Sequence, residues 1–406
     1  MRLDQALTIA DLKQMARARV PRMFFDYADS GSWTESTYRA NAYDLQKIKF
    51  EQRVAVNLAN RSLAGTMIGR KVAMPVALAP TGLTGMQHAD GEIHGARAAV
   101  KAGIPFVLST MSICSIEAVA EATKQPFWFQ LYVMRDQDFV ENLIGRAEAA
   151  GCDALVLTLD LQILGQRHKD LRNGLSAPPK RGLGTLAQLM ARPRWCMEML
   201  GTKNRSFGNI VGHARGVSDM ASLGTWTTEQ FDLELDWKKA EMLKKRWPRK
   251  FIVKGIMNAD DARMAVKIGA DAIIVSNHGG RQLDGAPSSI SVLEAIVDAV
   301  GDKVEVHFDG GINTGQDIMR ALALGARGTY IGRSWLYGLG AGGQAGVDRA
   351  LEILRRELDL TMAFCGERDV TKVGRHNLHG YGDRPASAIA ASARGRRKPA
   401  SRPSKR

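Results

Sequence analysis

The stretch that decides the architecture is KIGADAIIVS, residues 267–276. A helical segment ends at Gly269, where a left-handed residue closes a helix at little steric cost. A short oily run follows, without the alternation of a half-exposed strand. Such a run suits a strand buried on both faces of a parallel sheet. The same punctuation recurs in KAGIPFVLS (101–109), AAGCDALVLT (149–158) and ALGARGTYIG (323–332).

Working outward, eight such runs appear: 72–80, 106–109, 127–132, 154–158, 251–254, 272–276, 304–309 and 329–332. Helix-period segments lie between them, clearest in DDARMAVKIG (260–269) and GQDIMRALALG (315–325). Eight strand–helix units predict an α/β fold, a (β/α)8 TIM barrel, with a doubly wound open sheet as the alternative. The runs end in Ser109, Gln130 and Tyr132, Thr158, Lys254, Ser276 and Asp309. Repeated polar groups at carboxyl ends mark the face where barrels place their chemistry. The expected organisation is one catalytic domain over 1–384: a helical N-terminal cap (1–71), the barrel (72–360), and a lid insertion after the fourth strand (171–235). A basic, disordered tail (385–406) completes it. Within the insertion, Trp195, Met197, Met199 and Leu200 are set either to touch a membrane or partner, or to pack down on the barrel.

Composition narrows the classes. The chain has 406 residues and a net charge of +14. Seven basic residues and no acidic one lie in ARGRRKPASRPSKR (393–406). No aromatic-interleaved basic patch accompanies them, so a nucleic-acid site is not expected. Four scattered cysteines without CxxC spacing argue against a metal site or disulfide framework and fit a reducing compartment. The opening residues lack the apolar core of a signal peptide, and no run approaches the roughly 18 apolar residues that span a bilayer. A cytoplasmic location follows, with peripheral contact at the inner face of the membrane as its variant.

Two glycine turns follow the late strands, DGGINTG (309–315) and IGRS (331–334), the latter carrying Arg333. Bare backbone N–H groups there would cradle a phosphate. No GxGxxG follows an early strand, so a Rossmann site is not supported. Among eight histidines, His278 stands out, two residues past an oily strand and followed by Gly279, Gly280 and Arg281. His307, inside a strand, reads as a core residue.

The string SNHGGRQLD (276–284) resembles the active-site signature of the FMN-dependent α-hydroxy-acid dehydrogenase/oxidase family, which includes L-lactate dehydrogenases, glycolate oxidases and mandelate dehydrogenases. FDYADSGS (25–32), APTG (79–82), FQLY (129–132), LTLD (157–160), GQRHKD (165–170) and VKGI (253–256) follow in the family's order. The resemblance covers about residues 10 to 375.

It implies oxidation of an L-2-hydroxy acid, foremost L-lactate, to the 2-oxo acid, with FMN in the barrel mouth. His278 would be the base, by a hydride or a carbanion route. Asp160 would pair with it, and Tyr132 and Tyr27 would hydrogen-bond the substrate. Arg281 and Arg167 would clamp the carboxylate, because guanidinium binds it in a fork. Pro80, Thr81 and Gly82 would face the flavin. Ser109, Gln130 and Thr158 would bond its ring, and Lys254 would sit near N1/O2. Ser276, Asp309, Gly310, Gly311, Gly332 and Arg333 would hold the ribityl–phosphate end. Asn313 stands where the family usually has arginine, so FMN binding is expected to be weakened. Asp284 is read as a loop-fixing partner of Arg281. The acceptor would be quinone, cytochrome or oxygen, and a homo-oligomer, a tetramer, follows from the resemblance. Glycolate, mandelate or a longer hydroxy acid is the alternative substrate. A non-redox FMN- or phosphate-binding barrel such as an isomerase, and a protein that binds acidic surfaces through tail and lid, are the alternative classes.

Overall fold

In the computed structural model, residues 1–174, 183–214 and 230–381 are described. The expected tail (385–406) and two parts of the expected lid insertion, 175–182 and 215–229, lie outside the described residues. Eight parallel strands form the centre: β3 (Val76–Leu78), β4 (Val107–Ser109), β5 (Trp128–Leu131), β6 (Ala154–Thr158), β7 (Lys250–Ile256), β8 (Ala272–Val275), β9 (Glu305–Asp309) and β10 (Gly328–Ile331). Their order is β3-β10-β9-β8-β7-β6-β5-β4, and a parallel bridge from Leu78 to Phe106 joins the two ends. The sheet is therefore closed into a (β/α)8 barrel, and the open-sheet alternative falls. The short oily runs are buried on both faces as their lack of alternation required: β6 and β8 have no exposed residue.

Helices alternate with the strands on the outside. They are α4 (Gly91–Ala102), α5 (Ile116–Thr123), α6 (Gln137–Ala149), α10 (Trp237–Arg246), α11 (Ala259–Lys267), α12 (Ser289–Val300), α13 (Gly315–Ala323) and α14 (Arg333–Phe364). The last is broken at Gly342–Gly343. Helix α7 (His168–Arg172) leads into the insertion, and α8 (Leu183–Met190) and α9 (Pro193–Gly201) lie within it.

The N-terminal cap departs from expectation. It is helical only through a 3-10 turn (Leu3–Gln5) and α1 (Ile9–Arg19), α2 (Arg22–Ala28) and α3 (Ser36–Lys47). A hairpin, β1 (Gly65–Met67) with β2 (Arg70–Val72), ends it. Ile68 and Gly69 both have positive φ, the backbone that a two-residue hairpin turn demands. Met67 and Ile68 join the barrel-interior cluster of Ala77, Trp128, Ile252 and Tyr330, and the Ile68 N–H donates to Glu305. The hairpin thus plugs the amino-terminal end of the barrel. The expected first strand also splits, with Val72 ending the hairpin and the barrel strand starting at Val76, beyond Pro75.

The insertion splits likewise. Trp195 packs inward, stacking on Phe24 at 5.3 Å and donating to the Met86 carbonyl, and Met199 packs against the core. Met197 and Leu200 are exposed, as are Leu186 and Met190 of α8.

Candidate active site

The carboxyl ends of the strands open into a cavity of ≈ 870 Å³. His278 reaches it from a single tight turn, His278–Gly280, that follows β8. Its own φ is +58°, a left-handed conformation uncommon for a residue with a side chain. A hydrogen bond from its backbone N–H to Ser276 Oγ helps to fix it there. Nδ1 lies 2.8 Å from Asp160 Oδ1. A carboxylate only accepts, so Nδ1 carries the proton and Nε2 keeps its lone pair. Nε2 is 3.5 Å from the Tyr132 hydroxyl, and both residues line the cavity.

Two neighbours place Asp160. The bulge of β7 brings Gly255, at φ +105°, so close that a Cβ there would lie 2.8 Å from Asp160 Cγ. Gln282 Nε2 donates to the Asp160 carbonyl at 2.9 Å. Both residues sit inside quoted motifs, yet neither had been given a role. No sequence signal marks them, because their contacts with Asp160 are long-range.

Burial disfavours the imidazolium form, and although Asp160 opposes this, His278 is held below its ordinary pKa. Burial alone would raise the Asp160 carboxyl, but the charges of His278 and Lys254 and the His278 hydrogen bond hold it below its usual range. The result is a neutral base beside a fixed anion. Burial pushes the Tyr132 hydroxyl well above its ordinary value, so it stays a donor.

Across the cavity, Arg281 and Arg167 flank the Tyr27 ring, their guanidinium carbons 4.7 and 5.9 Å from its centroid. Arg281 Nη1 donates to the Tyr27 and Ser30 carbonyls and to Ser30 Oγ. Burial, with Arg167 alongside, brings Arg281 down to about 10, still protonated at neutral pH. Arg167 Nε is buried without a partner. Asp284 does not pair with Arg281. It accepts from Ser36 Oγ at 2.7 Å and from Thr34 and the Thr37 N–H, fastening the start of α3. The α3 N-cap, Glu35, is left-handed and makes no cap bond, so a carboxylate distant in sequence does that work.

The residues expected to hold FMN fall into two layers. Pro80, Thr81, Gly82, Lys254, Asp309, Gly310, Gly311, Asn313, Gly332 and Arg333 line the cavity. Ser109, Gln130, Thr158 and Ser276 stand behind them at the strand ends, all buried. Lys254 Nζ donates to Ser276 Oγ, and Ser276 Oγ donates to Asp309 Oδ2. Ser109 donates to Gln130 Oε1, turning the amide so that Nε2 is left over. Gln130 Nε2 and Thr158 Oγ1 are buried without a partner. Such atoms are costly unless something completes them. At the other end a Cβ on Gly311 would run into the Asn41 carbonyl, and α14 starts with no side-chain cap. An uncapped helix start beside a glycine turn suits a phosphate. Orphaned donors at one end and an anion cradle at the other fit FMN.

An apolar wall of Met111, Leu161, Phe207 and Phe231 also borders the cavity, with Phe231 edge-on to Tyr132. Sequence reasoning missed this wall, because its members come from separate loops with no shared period.

Residues 16–380 match the FMN-dependent dehydrogenase family. The L-lactate dehydrogenase of Azorhizobium caulinodans is 43% identical over 375 residues, 91% of this chain and 97% of that protein. That of Caulobacter vibrioides is 42% identical over 368 residues, 89% and 95% of the two chains. Among solved structures, a monotopic membrane protein, (S)-mandelate dehydrogenase, superposes with a TM-score of 0.88 at 35% identity, covering 92% of this chain and 99% of that one. A mandelate oxidase with (S)-4-hydroxymandelic acid gives 0.79 at 34% identity, over 92% and 98%.

Proposed function

Because the chain belongs to the FMN-dependent dehydrogenase family and takes FMN as its cofactor, we propose that it oxidises L-lactate to pyruvate. The observation that carries this reading is the partly buried His278–Asp160 pair, with Nε2 facing the cavity that the two arginines share. Arg281 and Arg167 hold the substrate carboxylate, and Tyr27 and Tyr132 orient it by hydrogen bonds. His278 Nε2 takes the hydroxyl proton as the carbonyl forms, and Asp160 stabilises the resulting imidazolium. FMN, when bound, supplies the acceptor for the hydride that leaves the same carbon. Lys254 stands as the cation for negative charge on the ring, and Asp309 and Ser276 fix its ammonium.

In the test, the purified protein is yellow, and anaerobic L-lactate bleaches its band near ~450 nm, a property of the flavin. A His278→Gln variant keeps the colour and loses the bleaching. A colourless protein that FMN cannot reconstitute overturns the reading. Bleaching by mandelate or glycolate but not lactate moves the substrate alone.

The exposed Leu186, Met190, Met197 and Leu200 favour a second element, peripheral attachment to the inner face of the membrane with quinone as acceptor. No helix among the described residues is long and apolar enough to cross a membrane. A Met197→Asp/Leu200→Asp double variant should leave liposomes on sedimentation while keeping its flavin chemistry. Unchanged sedimentation refutes that surface.

A further inference from the structure

We propose that Arg39, on α3, is the cation that meets the FMN phosphate in place of the arginine missing at position 313. The proposal rests on FMN occupying the cavity.

Asn313 cannot serve, because its side chain is neutral and turned into its own loop. Nδ2 donates to the Gly311 carbonyl at 3.0 Å, and Oδ1 accepts from Ser334 Oγ at 3.4 Å. Arg333 is present but largely committed. Its Nε donates to the Ala28 carbonyl, and Nη2 donates to the carbonyls of Ser30 and Gly279. The other cations that line the cavity have places of their own: Lys13 pairs with Asp29, Lys254 with Asp309 at the ring end, and Arg167 and Arg281 flank Tyr27 at the end where the substrate carboxylate binds. Arg39 lines the same cavity, and its guanidinium has no hydrogen bond or ion pair among the described residues.

Its helix is held where the phosphate would lie. The Gly311 turn abuts the backbone of Asn41 and Ala42, and the Arg333 guanidinium stacks over Tyr38 at 4.3 Å. Arg39, Ala42, Tyr43 and Gln46 follow one another at helical spacing, and all four line the cavity. Ala42, the small member of that stripe, leaves space between a guanidinium, a phenol and an amide. All three can donate to phosphate oxygens.

The test is flavin dissociation from the full-length enzyme, loaded with FMN or with riboflavin, followed by the return of free-flavin fluorescence. Loss of one charge-assisted hydrogen bond predicts that Arg39→Gln weakens FMN binding about tenfold. Riboflavin, which has no phosphate, should bind as before. Arg39→Lys, which keeps the charge, should retain most of the preference for FMN. In an Asn313→Arg background the effect of Arg39→Gln should shrink to under about threefold, because the two cations substitute for each other. Equal losses on FMN and riboflavin would mean a structural role and overturn the proposal, as would no loss on either. A parent protein that binds neither flavin would instead overturn the FMN reading itself.

Discussion

Asp160→Asn isolates the charge that faces His278. The substitution keeps the shape and removes the anion 2.8 Å from Nδ1. Both side chains are largely enclosed, with 16% and 14% of their surface exposed, so solvent screens the interaction only in part. When Nε2 takes a proton, the imidazolium loses the charge-assisted part of that hydrogen bond, ~1.5–3 kcal/mol. That corresponds to a flavin reduction rate lower by roughly 10- to 150-fold. The pH profile must move as well. Asp160 is the group that props up the His278 pKa against burial. Without it, imidazole stays neutral to lower pH. The acid limb of the reduction rate, where protonated His278 cannot accept, therefore shifts down while the plateau falls. The assay is anaerobic stopped-flow mixing with substrate at flavin saturation, across pH 5–9. A rate within about threefold of the parent, or an acid limb moved upward, would refute the coupling.

Arg281→Lys keeps a charge but loses the fork and the stacking on Tyr27. Substrate KM should rise about 10-fold or more with a smaller change in kcat, and steady-state kinetics at fixed pH reads the split. Glu92 is buried and accepts the backbone N–H groups of Gly85, Ile113 and Cys114. Glu92→Ala should therefore cost about 3 kcal/mol or more in denaturant unfolding, and a cost below about 1 kcal/mol would show that those donors find other partners. Asp284→Ala removes the anchor of the α3 start and should cost about 1–2 kcal/mol. It should also loosen FMN binding through α3, while anaerobic bleaching by substrate persists at saturating flavin.

The legible and illegible parts divide by how far apart the interacting residues lie in the chain. The barrel could be read because each strand–helix unit repeats a local rule, Gly closure and then an oily run, as in 267–276. His278 and Arg281 could be read because strand, turn and base are contiguous. The hairpin plug was not, since its three-residue strands are too short for any periodicity, and only Ile68–Gly69 at positive φ betrays the turn. Asp284 was misassigned for the same physical reason. It lies three residues from Arg281, but its partners Thr34, Ser36 and Thr37 are some 250 residues away, and only closure of the barrel brings α3 to it. Gly255 against Asp160 obeys this logic too, and so does Arg39. Its helix meets the Gly311 turn from the other end of the chain, and no spacing in the sequence could bring Arg39 and Asn313 to one cavity. The chemistry that sits in one strand-end loop was therefore visible, whereas the residues that orient and complete it come from the cap and from neighbouring strand ends. Substitutions at Arg39 in the cap and at Asp284, which anchors the cap, should for that reason alter flavin affinity before they alter the proton transfer at His278.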